Sequence, residues 1–457
     1  MKKKFDYDVI VLGSGSAGSA AALTSARAVL KTALIESSKW GGSALNGYDI
    51  PSQAAFSFSH LYYKARTSSR FGLSSSSLRF NYPTVQNWRT LASSRAGAND
   101  KKPFESAKIT CVSGLASFLS PYEVAVKNQI LAAPRFVIAT GAKPRIGEIS
   151  GVESATCLTP ADALALPRPP KSVFIVGAGS TGCELANYFA ELGVPVTLAE
   201  LSGRILPRED EEVNQFLGKY LTTKLKVKIL TQSRVVAVAP ASKTSGLQKI
   251  TYLRGGVERS SEAETIILAT GSLPVADIGL ENAGVAYSRG GIVASDTLAS
   301  SMKHIYVAGD CLGGESSSER AAYEGALAAA NLVGRTKNLR NYEGFIRLTN
   351  TYPAVATTGL TESSCLEKGL KCKKAVLPLS LVSASNTSDF RSGFIKLLSS
   401  PKGQVLGATV VCPSAELVIQ EIVVAVRHHF TVTQLASAPH ASSSWSELVR
   451  QAARRLA

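Results

Sequence analysis

Asp8-Val-Ile-Val-Leu-Gly-Ser-Gly-Ser-Ala-Gly18 joins an unbroken apolar run to glycines spaced Gly-x-Gly-x-x-Gly, and an alanine-rich helical stretch follows. The run does not alternate with polar residues, so it reads as a strand covered on both faces. Gly13, Gly15 and Gly18 permit a tight turn, close approach of the backbone to a pyrophosphate, and tight packing of helix on strand. A second strand, Thr32-Ala-Leu-Ile35, ends at Glu36, an acid able to accept hydrogen bonds from ribose hydroxyls. The pattern recurs: Ser172-Val-Phe-Ile-Val176, then Gly177-Ala-Gly-Ser-Thr-Gly182, a helix through about Leu192, and a strand Val196–Ala199 ending at Glu200. Twenty-three positions separate Gly13 from Glu36, and 23 separate Gly177 from Glu200. One such glycine motif is a weak signal. Two, each between strand and helix and each with its acid at the same distance, imply two dinucleotide sites.

Two further strand ends match each other, Phe136-Val-Ile-Ala-Thr-Gly141 and Ile266-Ile-Leu-Ala-Thr-Gly271. His304-Ile-Tyr-Val-Ala-Gly-Asp310 closes another strand on an aspartate. Pro167-Arg-Pro-Pro170 and the polar stretch 239–246 read as linkers, and Ser74–Ser77 as a low-complexity loop. From about 345 the pattern changes: strands at Phe394–Leu398 and Val405–Val411 and a helix around 414–429 predict a compact α+β unit. The expected fold is α/β, with two Rossmann-like dinucleotide-binding domains. The first (1–150 and 272–340) is interrupted by the second (151–271), and an α+β domain spans 345–457.

At 457 residues the chain exceeds a single typical core. Hydrophobic content of 45% against 18% charge suits a large buried interior, and no apolar run nears the roughly 20 residues of a membrane span. Met1-Lys-Lys-Lys-Phe-Asp-Tyr-Asp8 passes directly into a strand pattern, so no signal peptide and a cytoplasmic location are expected. The formal charge of +16 is spread along the chain apart from Lys371/Lys373/Lys374 and Arg450/Arg454/Arg455. It reads mainly as a diffusely basic surface, with weak association with anionic membrane surfaces as the alternative. No nucleic-acid-binding signature is present. The cysteines stand at 111, 157, 183, 311, 365, 372 and 412; the closest pair, Cys365 and Cys372, is seven apart, and no Cys-x-x-Cys occurs. That spacing argues against zinc or a local redox motif and fits buried free thiols in a reducing compartment. No metal site is expected.

The whole order of motifs resembles the pyridine nucleotide–disulfide oxidoreductases, a family that includes dihydrolipoamide dehydrogenase and mercuric reductase. Residues 41–53, Gly-Gly-Ser-Ala-Leu-Asn-Gly-Tyr-Asp-Ile-Pro-Ser-Gln, are similar to that family's Gly-Gly-Thr-Cys-Leu-Asn-x-Gly-Cys-Ile-Pro-Ser-Lys. Ala44 and Asp49 then stand where the family carries its redox cysteines, and Gln53 where it carries a lysine. The resemblance implies FAD at the first glycine motif and NAD(P) at the second, in a homodimer joined through the C-terminal domain. FAD contacts are implied for Gly13, Gly15, Ser16, Gly18, Glu36, Gly42, Ser43, Gln53, Ala116, Thr140, Gly141, Asp310, Ser318 and Ala321. Asp310 is expected to bond a ribityl hydroxyl, and Ser317–Arg320 to begin a helix whose positive end favours reduced flavin. Nicotinamide-dinucleotide contacts are implied for Gly177, Gly179, Ser180, Thr181, Gly182, Glu200, Val235 and Gly271. Glu200 favours NADH over NADPH, although Arg204 nearby is able to reach a phosphate.

Three carboxylates are candidate catalytic groups. Glu184 matches a family glutamate that pairs with the lysine now replaced by Gln53, and an ordinary, partly solvated helix position is its other reading. Glu447 matches the glutamate that backs a catalytic histidine, whose own position is Ser442 in His440-Ala-Ser-Ser-Ser-Trp-Ser-Glu447. His440 matches only the preceding histidine and reads as structural. Asp49 either protonates a reduced acceptor or caps local backbone. Together the resemblance implies hydride passing from NADH through FAD directly to a small acceptor: a quinone, another redox-active aromatic, or dioxygen. A catalytically silent FAD/NADH-binding sensor or scaffold is the alternative. A dihydrolipoamide dehydrogenase-type disulfide reductase, with a thiol relocated to Cys183 or Cys311, is the remaining one.

Overall fold

A computed structural model of the chain describes residues 5–74, 78–242, 246–334, 337–388 and 390–457. It divides into two compact units: residues 1–55, 81–145 and 271–341, and residues 56–80, 146–270 and 342–457. Part of the Ser74–Ser77 loop lies outside the described residues.

The first unit is built on a parallel five-stranded sheet in the order 305–307, 136–138, 9–12, 32–36, 110–113. Val9–Leu12 lies at its centre and is buried at every residue, as its unbroken apolar run demands. The Ser16–Arg27 helix packs on one face against the Ser318–Val333 helix, over a core including Val9, Val11, Ala21, Leu34, Val137 and Ala328. On the other face a three-stranded antiparallel sheet, 116–120, 123–126 and 129–132, contributes Phe118, Val124 and Val126 to a second cluster.

The second unit repeats this plan. Its parallel sheet runs 228–230, 196–199, 173–176, 265–268, 157–158, with Val173–Val176 central and the Ser180–Glu191 helix following the turn. Another antiparallel three-stranded sheet, 233–240, 248–254 and 257–263, covers it. Ser233–Pro240 and Gln248–Arg254 pair antiparallel, with an irregularity between Val235 and Ala237 and with Pro240 opposite Gln248, so residues 239–240 of the expected linker are strand; residues 243–245 of it lie outside the described residues. Pro167–Pro170 likewise joins a short helix, Pro160–Leu164, to the central strand within this unit.

Residues beyond 345 form the α+β element in the same unit. An antiparallel sheet in the order 346–349, 354–359, 405–412, 394–399, 373–378 is covered by helices including Gln420–Arg427 and Glu447–Leu456. Part of its contact with the nucleotide-type fold is electrostatic. Lys396, on a central strand and 2% exposed, places its ammonium 3.0 Å from Asp210, 2.9 Å from Glu212 and 2.6 Å from Glu362. Burial alone would lower its pKa; the three carboxylates outweigh that and hold it well above the ordinary lysine value.

Removing that ammonium takes the shared cation from Asp210 and Glu212, Asp210 being buried, and leaves Glu362 to Lys374. Lys396→Met is expected to destabilise the protein by about 3 kcal/mol, the magnitude for breaking a buried pair, read as a fall in Tm. Glu362 has its pKa lowered, mainly by Lys374 and then by Lys396. Its contribution is present above the ordinary glutamate pKa and is lost as pH falls through the lowered one. The Tm gap between the parent and Lys396→Met is accordingly expected to narrow in acid.

Candidate functional site

The first glycine loop is shaped by its own backbone. Gly13 has φ of +99°, and a Cβ there would meet the Ala139 carbonyl oxygen at 2.3 Å; a Cβ on Gly18 would meet the Gly13 carbonyl oxygen at 1.7 Å. Both glycines are obligatory for the turn. Gly15 differs. Its φ of −65° suits any residue, and the nearest atom to a Cβ added there would be Gly42 Cα, at 4.0 Å. The protein itself leaves that space beside the N-terminus of the Ser16–Arg27 helix, where amide donors and the positive helix end favour a phosphate.

Glu36 fixes the turn. One carboxylate oxygen accepts from the Ser14 amide at 2.8 Å and the Ser14 hydroxyl at 2.7 Å, and the other accepts from the Ser38 amide at 2.7 Å. Ser14, which the sequence reading passed over, is fully buried and also accepts from the Gly41 amide at 3.0 Å. It thereby ties the glycine loop to the 41–46 segment, while Asn46 donates to the Trp40 and Gly42 carbonyls. Gly42 packs against Gly15 so tightly that a Cβ on it would lie 2.6 Å from Gly15 Cα. Ser43 is exposed on the short Gly42–Asn46 helix, and Ser16 opens the helix after the loop.

The Gly309–Asp310 turn belongs to the same unit. Buried Glu324 accepts from the Gly309 amide and from Arg320 Nε, each at 2.8 Å. This pair was also missed from sequence; its only signal was an Arg-x-x-x-Glu spacing on the following helix. Ser317 caps the Ser318–Val333 helix by accepting from the Arg320 amide, so the helix begins where expected, with Ser318 and Ala321 in its first turn. The Ser318 hydroxyl donates to the Asp49 carboxylate, which lies in the first turn of the Asp49–Thr67 helix.

Asp49 is exposed, yet partial desolvation by its neighbours raises its pKa; Ser318 pulls it back and the Glu319 charge raises it further. Desolvation also raises Asp310, with a hydrogen bond from Ser316 lowering it and the charges of Glu324 and Asp49 raising it. Asp49, Asp310 and Ser318 thus form one cluster. Gln53 lies in the next turn of Asp49's helix and is exposed. Thr140 donates to the Val275 carbonyl at 2.6 Å, Gly141 has φ of +71°, and Ala116 lies in the core beside Phe118.

The second loop reproduces the first. A Cβ on Gly177 would meet the Ala269 oxygen at 2.4 Å and one on Gly182 the Gly177 oxygen at 1.9 Å, while nothing lies within 4 Å of one on Gly179. Glu200 accepts from the Ala178 amide at 2.7 Å and the Ser202 amide at 2.8 Å. Arg204 donates to the Pro207 carbonyl at 2.8 Å and lies 3.4 Å from Glu211. The Ser180 hydroxyl accepts from Thr349 at 2.9 Å, and Thr181 follows it in the same first helical turn. Val235 packs among Phe174, Ile250 and Tyr252. Gly271, in the first unit, has φ of +92°.

Glu184 is buried, not partly solvated, and accepts from the Asn350 amide at 2.8 Å and its side-chain amide at 3.2 Å. Glu447 accepts from Arg450 at 3.2 Å within its own helix. His440 is engaged at both ring nitrogens, Nδ1 with the Ala438 carbonyl at 2.9 Å and Nε2 with Glu421 at 2.8 Å. Burial raises the pKa of Glu421 and His440 offsets that. Cys183 and Cys311 are buried, and burial is the main cause that raises both thiols, Cys311 up to about 11. Among the described residues no cluster of three or more His, Cys, Asp or Glu is arranged to hold a metal, and no helix is long and apolar enough to cross a membrane.

Since neither backbone nor neighbours exclude a methyl at Gly15 or Gly179, alanine tests ligand approach rather than folding. Gly15→Ala is expected to keep the parent circular dichroism and lose flavin affinity by roughly tenfold or more, about 1.4 kcal/mol or above. Gly179→Ala is expected to keep its flavin and raise the KM for reduced nicotinamide nucleotide. Absorbance of bound flavin after gel filtration separates the two.

Comparison with known proteins agrees with this geometry. The model of the family described as pyridine nucleotide-disulphide oxidoreductase matches residues 7–329, and that of its dimerisation domain matches 346–453. The mercuric reductase of Bacillus cereus is 32% identical over 435 residues, covering 94% of this chain and 68% of that protein. A dihydrolipoyl dehydrogenase of Chlamydia pneumoniae is 30% identical over 450 residues, covering 97% and 95%. The crystal structure of LpdA from Mycobacterium tuberculosis superposes with a TM-score of 0.88 at 25% identity, covering 98% and 99%. The flavoprotein disulfide reductase RclA of Escherichia coli shares the fold, with a TM-score of 0.86 at 21% identity and the same coverage. Family members use FAD with NAD(P)H, and the matched dimerisation domain supports a homodimer. With its two parts matched in sequence over nearly the whole chain and its fold shared throughout, this chain belongs to the pyridine nucleotide-disulphide oxidoreductase family.

Proposed function

We propose that this protein is an NADH-dependent FAD oxidoreductase that reduces a small acceptor, a quinone or similar redox-active aromatic or dioxygen, without a protein disulfide. The observation that carries this reading is the pair Ala44 and Asp49, standing where the family's cysteine motif places its two thiols. Bound FAD supplies the two-electron relay between nicotinamide and acceptor. The chain's contribution is to hold, orient and protonate. The loop at Gly13–Gly18 and the turn at Asp310 fit the cofactor, and the loop at Gly177–Gly182 fits the nicotinamide dinucleotide.

The remaining thiols give no substitute of the expected kind. Cys183 and Cys311 are raised by burial and are poor thiolate sources at neutral pH. Ser442 stands at the family's catalytic histidine position, and His440 has both nitrogens committed. Glu447 and Glu184 are held by Arg450 and Asn350, and neither is assigned a proton transfer. Asp49 is the proton donor in this reading: its raised pKa keeps it protonated to higher pH than a free aspartate, and Ser318 orients it. Preference for NADH is supported by Glu200, an anion where a 2′-phosphate would lie, and by Arg204, already turned to Pro207 and Glu211.

Anaerobic stopped-flow absorbance tests the route. NADH is expected to bleach the flavin band faster than NADPH, quinones to restore it, and lipoamide or oxidised glutathione to leave it bleached. Absence of bleaching would end the hydride-transfer reading, and reoxidation by a disulfide would end the direct route. Proton donation from Asp49 is available below its raised pKa and lost as pH rises through it. Asp49→Asn is expected to slow quinone reduction about 10²-fold and remove that alkaline limb. Ser318→Ala, by deleting a bond that lowers the pKa, is expected to move the limb to higher pH.

A further inference from the structure

The helix that follows the second glycine loop is held along one face by residues 349–352. Thr349 donates its hydroxyl to that of Ser180 at 2.9 Å, the Asn350 amide donates to Glu184 at 2.8 Å, and the Tyr352 amide donates to the Asn187 side-chain oxygen at 3.3 Å. Positions 180, 184 and 187 recur at helical spacing, so one short segment follows one stripe of the helix. That segment is itself fixed. Ile346–Thr349 pairs with Ala354–Gly359, Thr349 lying opposite Val355, and Arg347 Nε donates to Glu209 at 2.9 Å. Glu184, Asn187 and Thr349 are buried, whereas Ser180 is exposed. The ladder therefore ends on an open hydroxyl at the helix N-terminus, next to Gly179, around which the protein leaves clear the space a Cβ would take.

The Thr349–Ser180 bond has a direction. A hydroxyl carries one hydrogen and two lone pairs. Because the Ser180 oxygen accepts from Thr349, its own hydrogen is left to be given elsewhere, and accepting one bond strengthens it as a donor in the next. Such a donor at a helix N-terminus adds to the free amides and the positive helix end, which together favour an electron-rich oxygen. We propose that Thr349 is a positioning residue of the nucleotide site, holding the Ser180 hydroxyl as a hydrogen-bond donor to an acceptor oxygen of the bound nicotinamide dinucleotide. The inference rests on the reading of Gly177–Gly182 as the nucleotide loop. The acceptor oxygen belongs to the pyrophosphate or to the nicotinamide half, which offer a hydroxyl the same chemistry.

Thr349 is 3% exposed, so it acts through Ser180 and not by touching the ligand. Its strand belongs to the sheet of the α+β element. That element thereby sets the direction of a donor in the nucleotide-type fold of the same unit, 169 positions away along the chain.

Calorimetric titration of the FAD-loaded enzyme with NAD, and with ADP-ribose, which keeps the pyrophosphate and lacks the nicotinamide, tests the assignment. Ser180→Ala is expected to raise the Kd for NAD about fivefold and Thr349→Val about threefold, the scale of one hydrogen bond. Thr349→Ser, which restores the hydroxyl, is expected to bind as the parent does. Thr349→Val added to Ser180→Ala is expected to cost no further affinity, since it acts through the hydroxyl already removed. A loss shared by ADP-ribose places the acceptor on the pyrophosphate, and a loss confined to NAD places it on the nicotinamide half. A purely structural threonine would lower Tm in Thr349→Val and leave both dissociation constants at parent values; that result, or additive losses in the double variant, would overturn the proposal. Ser180→Ala changes an exposed side chain and needs no repacking, so unchanged binding in it alone would overturn the proposal even where Thr349→Val does not fold. A parent that binds neither ligand would overturn the nucleotide-loop reading itself, and this inference with it.

Discussion

A carboxylate at the end of the second strand, bonded back to the amides of the preceding glycine turn, is the constraint on which both nucleotide-type folds depend. Glu36 and Glu200 each accept charge-assisted hydrogen bonds from the turn and from two residues beyond themselves. Such bonds are roughly twice as strong as neutral ones. They hold the strand–turn–helix junction rigid, so that Gly13 and Gly177 can keep backbone conformations that L side chains rarely adopt. With the turn fixed, the helix beyond it has one possible origin, and its first amides face a space that the protein leaves clear. The origin and direction of the helix follow from that junction.

What varies is placed at the edges of this frame. The Asp49–Ser318–Asp310 cluster gathers two carboxylates and a hydroxyl at helix starts, where burial and mutual charge keep protons on carboxyls longer than water would. In the proposed route a carboxyl there supplies a proton where a thiol pair would exchange electrons. The C-terminal region changes in the same sense. His440 is fixed between a backbone carbonyl and Glu421, and Glu447 turns to Arg450. The proposed route, with neither a thiol pair nor an imidazole base, is chemically consistent, since thiolate exchange requires both.

The excess positive charge has local uses as well as a solvated one. Lys396 neutralises three carboxylates at a buried junction, and Lys374 shares Glu362 with it. Arg320 pairs with Glu324 beneath the Gly309–Asp310 turn, and Arg347 pairs with Glu209 at 2.9 Å. Each of these links two segments distant in sequence or steadies a turn, a role that a count of charges does not reveal.

The sequence by itself determined the repeated strand–glycine–helix plan, its parallel sheets and the acid that closes each turn, because these are set by local periodicity, by glycine's backbone freedom and by fixed short spacings. The Val9–Leu12 and Val173–Val176 strands and the helices after them lie where the pattern puts them. Only the tertiary structure decided which distant groups meet. Ser318 reaches Asp49 across 269 positions, and Ser14 binds both Glu36 and Gly41. Glu184 is buried against Asn350, 166 positions away, and residues 239–240, which composition reads as linker, close a strand paired with 248–254. Composition cannot tell a polar strand end from a linker, because the pairing partner is set by the folded chain.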